Sequence, residues 1–439
     1  MQKKLSELLC TLAPIRAKIN EGYSVNSLLP QGFAHLEAQD RAIAQAILYR
    51  SIRRTGRLRF VLSRLCNRRP TAAVTALLEV ALAALELGNF KSYTVVAEAV
   101  NAAKLEASTR SATGFVNAIL RNFLRQSEEL QKRADNREDC RLNAPAWWIK
   151  VIRRAHPETA DQILALAQEP PPMTLRVNTA RTTVAAFRTL LDEQKIANRV
   201  VGAEAIQLLE PKPVDAVPGF ADGLCSVQDA GAQLAAHLLP VKDGDRVLDA
   251  CAAPGGKTAH LLERFRLDMT ALEIDTQRTR RIHENLDRLG LSARVLTADA
   301  LDINRWWDGK PFDAIVLDAP CTASGVVRRQ PDTPWLRREN DIALLAAQQK
   351  KLLEALWPLL RQGGHLLYIT CSIFPEEGLE QMRAFLARHK DASLVPLCQD
   401  NHGMMILLPR DEPHELGAQM PSVNDGFFYT LLTKGTAVH

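Results

Sequence analysis

Along the first 130 residues, apolar positions recur every three to four residues, the spacing of helices with one buried face. Asp40 stands as a candidate N-cap, and Ile43, Ile47 and Leu48 after it share one face. Ala-rich helices are predicted over about 71–87, 93–108 and 112–127, with few Gly or Pro and no strand alternation. An all-helical domain is therefore expected over 1–135. Asn143-Ala144-Pro145-Ala146-Trp147-Trp148 breaks the helical run, and Pro170-Pro171-Pro172 ends another. A strand follows at 173–178, then mixed alternation through Pro213 and Pro218, which predicts a small α+β linker domain over 136–235.

From 236 to 439 the pattern turns to strand–helix–strand. Apolar runs at 246–249, 269–273, 294–297, 312–318 and 365–370 are separated by helix-length segments, notably 276–289 and 341–360. Such alternation predicts an α/β domain with a parallel, doubly wound sheet. Two late runs, 404–408 and 427–432, have no helix between them and predict an antiparallel pair closing the sheet edge.

Composition changes this picture little. At 46% hydrophobic and 24% charged residues the chain reads as globular, and no run approaches the length of apolar sequence that spans a bilayer. The opening Met1-Gln2-Lys3-Lys4-Leu5-Ser6-Glu7 lacks the apolar core of a secretory signal. Eight cysteines lie scattered at 10, 66, 140, 225, 251, 321, 371 and 398 with no CxxC pair. That spacing suits neither a disulfide framework nor a zinc knuckle, so no metal and a reducing cytoplasm are expected. Charge says more. Residues 1–154 carry 25 Lys and Arg against 13 Asp and Glu (+12), and the remainder carries 30 against 37 (−7), giving the net +5. Basic charge gathered at one end suits a polyphosphate partner, although solvated helical surfaces also carry such charge.

The first candidate for chemistry follows the strand at 246–249: Asp249-Ala250-Cys251-Ala252-Ala253-Pro254-Gly255-Gly256-Lys257-Thr258. Small residues let backbone approach a ligand closely, and the next helix offers its first amides. A phosphate-binding P-loop would need Gly at 251, where this chain has Cys, so a P-loop NTPase is disfavoured. Glu273 ends the next strand, where doubly wound folds hold ribose hydroxyls, and Asp275 two residues on is a second candidate. Asp299, after the third strand, is placed to meet a base or its exocyclic amine. Acids at successive strand ends describe one crevice at the carboxyl edge, which an adenosine-bearing cofactor fits. Asp318-Ala319-Pro320-Cys321 follows the fourth strand and Thr370-Cys371-Ser372 the fifth, so both cysteines fall on the same rim. A single cysteine after a strand is usually a buried structural thiol; the pair beside an Asp-Ala-Pro is what draws attention. Arg328-Arg329-Gln330-Pro331-Asp332 and Trp335-Leu336-Arg337-Arg338 combine cations with an aromatic, a mixture suited to phosphate contact and base stacking.

The strings DACAAPGGKT, DAPCTASG and TCS, in that order, resemble the RNA 5-methylcytosine methyltransferases with a class I (Rossmann-like) fold. The helical front end is similar to the NusB RNA-binding domain. Together with LRVN at 175–178, QDAGAQ at 228–233 and DGFFYTLL at 425–432, it resembles the bacterial RsmB (Sun/Fmu) family. Two positions depart from the family's habit: Glu273, where Asp is common, and Thr322-Ala323, where Ser and a small residue are frequent. The resemblance implies a class I core with a mostly parallel seven-stranded sheet, behind a NusB-like domain and the linker. It implies S-adenosylmethionine as cofactor, held by Cys251, Ala252, Ala253, Pro254, Gly255, Gly256, Lys257, Glu273, Asp299 and Asp318. It implies methylation of cytosine carbon 5 in 16S ribosomal RNA, with Cys371 attacking carbon 6, Cys321 assisting release and Asp318 on the base edge. A monomer is expected. The alternatives are a transfer RNA methyltransferase, or a non-catalytic RNA-binding assembly factor, which would have no use for Cys321, Asp318 and Cys371 together.

Overall fold

The computed structural model describes residues 3–397, 403–411 and 420–435, so Cys398 lies outside the described residues. The chain divides into two compact units, one of residues 1–169 and 327–339, the other of 170–326 and 340–439.

The first unit is helical. Its opening helix, Leu5–Asn20, buries Leu5, Leu8, Leu9, Leu12, Ile15 and Ile19, a stripe at the spacing of one helix face. The helix Ala72–Leu87 buries nearly every residue from Val74 to Ala84 and runs through the centre of the core, where alanines allow close neighbours. Thr71 caps its first turn and Gly88, at φ 71°, ends it in the left-handed conformation. Helices Ala38–Arg53, Ser92–Leu105 and Thr113–Asp135 complete the packing.

One expectation needs correction here. Asp40 is not an N-cap: its helix starts at Ala38 after Glu37, and the buried Asp40 carboxylate accepts the Lys3 amide at 3.3 Å. The basic segment after Cys321 is partly packed within the helical unit. Arg328 is buried and its carbonyl accepts from Arg53, Asp332 accepts the Val25 amide at 2.8 Å, and Arg59 lies 4.7 Å over the Trp335 ring. Arg59 thereby covers one face of the Trp335 ring. Part of the basic excess is internal as well, since Arg16 pairs with Glu79 at 2.8 Å in the core.

The second unit opens with a four-stranded antiparallel sheet in the order β2-β3-β1-β4, formed by β1 Met173–Val177, β2 Asn198–Val200, β3 Ala205–Leu208 and β4 Cys225–Val227. The helix Val184–Glu193 covers it through Phe187 and Leu191. The main sheet takes β5 Arg246–Ala250, β6 Asp268–Glu273, β7 Arg294–Thr297, β8 Phe312–Asp318, β9 Leu360–Thr370, β10 Ala392–Val395, β11 Met404–Leu407 and β12 Phe427–Lys434. Its order is β10-β12-β9-β8-β5-β6-β7, with β11 paired to β12. The five strands β5 to β9 are parallel, and β12 runs antiparallel to β9. The late pair is antiparallel as expected, Met404 facing Thr430, but β12 lies inside the sheet, between β9 and β10. No helix among the described residues is long and apolar enough to cross a membrane.

Candidate active site

In a parallel sheet all carboxyl ends share one edge. Here that edge carries Ala250, Glu273, Thr297, Asp318 and Thr370, and the loops leaving them hold the predicted residues. The loop after β5 turns sharply. Cys251 has φ 70°, and Gly255 has φ 92° at the N-cap of the helix Gly256–Arg264. A Cβ at Gly255 would also sit 3.2 Å from Ile282, so glycine answers both conformation and space. The Ala252 amide donates to Leu272 O at 2.8 Å, which ties the loop to β6. Burial, reinforced by Asp318, Glu273 and Asp249, pushes the Cys251 thiol up to about 12 and keeps it protonated.

Glu273 is buried, and its two oxygens accept from the Ala253 amide at 3.3 Å and the Asp275 amide at 3.1 Å, with Arg278 at 3.2 Å. Asp275 instead caps the helix Thr276–Leu289, accepting the Arg278 amide at 2.9 Å. Asp299 is exposed, and its carboxylate accepts the Leu301 amide at 2.9 Å within its own turn. Asp249 is buried, accepts from Thr258 at 2.5 Å through Oδ2, and leaves Oδ1 without a hydrogen-bond partner. Burial pushes its carboxyl up to about 6.

Lys257 turns to Asp318 and forms an ion pair with its Oδ2. Burial works against the ammonium, but Asp318 and then Asp249 outweigh it and carry its pKa above the ordinary lysine value. The two rim cysteines meet: Cys321 Sγ lies 3.2 Å from Cys371 Sγ. Cys321 is buried and Cys371 half-buried. The hydrogen bond to Cys371, then burial, holds the Cys321 thiol well above its ordinary value. Gly325 N donates to Cys371 O at 3.0 Å and joins the two cysteine loops, while Gly426 N, just before β12, donates to Gly325 O at 2.8 Å.

Sequence reasoning missed the supports. Arg176 of β1 forks onto Glu263 at 2.9 and 2.6 Å, and also donates to Gln228 at 2.6 Å and to Gly256 O at 2.8 Å. A cation within an apolar strand was the available signal. LRVN and QDAG thus converge beneath the loop after β5. Asp229 caps the helix Ala230–Leu238 and accepts the Asp425 amide at 3.1 Å, while Tyr429 donates to Gly231 O at 2.7 Å. A further buried cluster joins Glu204 to His260 at 2.5 Å, Arg264 at 2.6 Å and His237 at 3.6 Å.

Family models match three stretches of the chain: "16S rRNA methyltransferase RsmB/F" over residues 236–433, an RsmF/B-like ferredoxin-like domain over 144–215, and the NusB family over 8–125. Ribosomal RNA small subunit methyltransferase B of Serratia proteamaculans is 40% identical over 95% of this chain and 96% of its own length. The chain belongs to the 16S rRNA methyltransferase RsmB/F family. The RsmB/F assignment makes it an S-adenosylmethionine-dependent methyltransferase acting on ribosomal RNA, and accounts for the helical front end. Two solved structures are similar in fold to this chain. The crystal structure of PH0851 matches with a TM-score of 0.77 at 24% identity, covering 97% of this chain and 99% of that one. NSun6 from Pyrococcus horikoshii, solved with SFG, matches with a TM-score of 0.54 at 20% identity, covering 66% and 98%.

Proposed function

We propose that this RsmB/F enzyme methylates carbon 5 of a cytosine in 16S rRNA, with Cys371 as nucleophile and Cys321 as its partner in release. The observation that carries the reading is the 3.2 Å approach of the two thiols on adjacent strand ends, beside the Asp318–Lys257 pair. Cytosine carbon 5 is a weak nucleophile. Addition of the Cys371 thiolate to carbon 6 moves the ring's double-bond electrons towards carbon 5. Asp318, oriented by Lys257, accepts from the amine edge of the base. S-adenosylmethionine, when bound, supplies an electrophilic methyl group to carbon 5. Cys321, held as a thiol, then passes its proton to the departing Cys371 sulfur and takes the proton from carbon 5. The C6–S bond breaks, the ring double bond returns, and both cysteines end as thiols.

The loop after β5 suits the cofactor: its residues are small, the helix Gly256–Arg264 starts directly after it, and the unpaired Asp249 Oδ1 offers an acceptor to a cationic ligand. In this reading residues 251–257 line the cofactor and Asp318 stands between cofactor and base. Glu273 takes the ribose, supported by the capping role that occupies Asp275. Asp299 faces the adenine amine. The proposed domain roles follow, with 1–135 meeting RNA, 136–235 as linker and 236–439 as catalytic core. The test is methyl transfer to 16S rRNA by Cys371→Ala, which should be lost while cofactor binding survives. Retained transfer would remove the nucleophile assignment.

A further inference from the structure

Glu377 follows the second cysteine by six residues and is fully buried, yet it lines no part of the site described above. Its carboxylate collects donors from both cysteine loops. Oε1 accepts the Thr322 amide at 2.9 Å, and Oε2 accepts the Thr322 hydroxyl at 2.5 Å. From the other loop, the Ser372 hydroxyl donates to Oε2 at 2.6 Å. Gln349, on the helix Asn340–Leu356, donates to Oε1 at 3.0 Å and also lies 3.0 Å from Pro320 O. Thr322 adjoins Cys321 and Ser372 adjoins Cys371, so one carboxylate ties together the neighbours of both thiols. A second bridge runs in parallel, with Ser324 Oγ 2.9 Å from Ser372 Oγ and accepting the Ile373 amide at 2.9 Å.

Burying a carboxylate is costly unless its lone pairs are filled, and four donors fill them here. An apolar residue would pack this spot at lower cost, but it would leave each donor unpaired and the loops free to separate. We infer that Glu377 is a positioning residue that sets the spacing of Cys321 and Cys371 by clamping their two loops to one carboxylate. The inference rests on the two-cysteine reading proposed above. It assigns Glu377 no contact with substrate or cofactor.

Glu377→Gln is the informative change, because it preserves shape while replacing one oxygen with a donor that faces the Thr322 and Ser372 hydroxyls. Phenylarsine oxide reads thiol spacing without catalysis, since its arsenic takes two neighbouring thiols and releases water. The parent enzyme should bind it through the pair, Cys371→Ala should lose that binding, and Glu377→Gln should bind about ten-fold more weakly or worse. Methyl transfer by Glu377→Gln should fall about 100-fold in kcat, as displacements near an ångström do, with KM for RNA and S-adenosylmethionine affinity little changed. Thr322→Val, which removes one donor and keeps the acid, should give a smaller loss of the same kind. Parental arsenical binding and kcat in Glu377→Gln would overturn the inference. So would a variant whose cofactor affinity and melting temperature fall in step with kcat, the mark of a merely structural residue. If Cys371→Ala itself stays active, the underlying two-cysteine reading fails instead.

Discussion

Gly325→Ala probes how tightly the cysteine loops depend on one another. A methyl group at Gly325 would lie 2.2 Å from Gly426 O, 2.6 Å from its carbonyl carbon and 2.7 Å from its Cα. Ordinary contact begins at 3.4 Å, so the two strands of backbone must part by about 1.2 Å. Neither side has a flexible end that can swing away. Separation stretches the Gly426-to-Gly325 hydrogen bond, and a shift of Gly325 is passed to Cys371 through the Gly325-to-Cys371 bond. Overpacking of this kind costs about 1–3 kcal/mol of stability. A Gly325 shift of about an ångström that carries Cys371 with it should lower kcat about 100-fold. Cofactor affinity should hold, because the loop after β5 is not moved. Steady-state methyl transfer, calorimetric titration with S-adenosylmethionine and denaturant unfolding measure the three quantities. Gly114→Ala is the control: its Cβ would meet nothing within 4 Å, on the helix Thr113–Asp135, and it should be neutral or stabilising by up to about 1 kcal/mol. A Gly325→Ala enzyme with kcat within about three-fold of the parent would refute the reasoning.

Two further outcomes follow from the supports. Arg176→Met strands the buried Glu263 carboxylate and should destabilise the second unit by about 3–5 kcal/mol in denaturant unfolding, whereas Arg176→Met with Glu263→Leu should recover much of that loss. Burial, opposed by the hydrogen bond to Glu204, pushes His260 down to about 3, with Arg176 and His237 also facing it. Below its ordinary 6.5 the unfolded chain takes a proton that the folded chain refuses, so stability falls with pH from 6.5 towards 3. Burial would raise the Glu204 carboxyl, but the His237 and His260 hydrogen bonds hold it well below its ordinary 4.5, so its contribution is also lost on acidification. His260→Gln should flatten the pH dependence between 6.5 and about 5 by up to about 2 kcal/mol; an unchanged slope would exclude His260 as the titrating group.

Much of the fold was legible because its signals are local and periodic. The stripe from Leu5 to Ile19 and the apolar runs of β5 to β9 each report a face or a layer directly. The strand Ala392–Val395 was not legible, since its side chains are half-buried to exposed and it borrows its pairing from β12. Asp40 looked like a cap because short acids favour helix starts, but its helix had already begun two residues earlier. The segment with Arg328 and Trp335 carried the composition of an RNA-binding loop, and only tertiary packing shows Arg59 and Arg53 already engaging it. Of the site, the loop after β5 and the two cysteines stood out because small residues, strand ends and thiols are distinctive in sequence. Arg176, Glu263 and Glu377 did not, because a buried polar network has no period, and its members meet across 87 residues in one case and 55 in another.

The central claim is that Cys371 bonds to cytosine during carbon-5 methylation. It is tested most directly by incubating Cys321→Ala enzyme with 16S rRNA and S-adenosylmethionine and looking for protein–RNA adduct after denaturation. The expected adduct survives denaturant, maps by mass spectrometry to Cys371 joined to a 5-methylated cytosine, and vanishes in the double variant with Cys371→Ala. An adduct through another residue, or methylation that continues without Cys371, would contradict it.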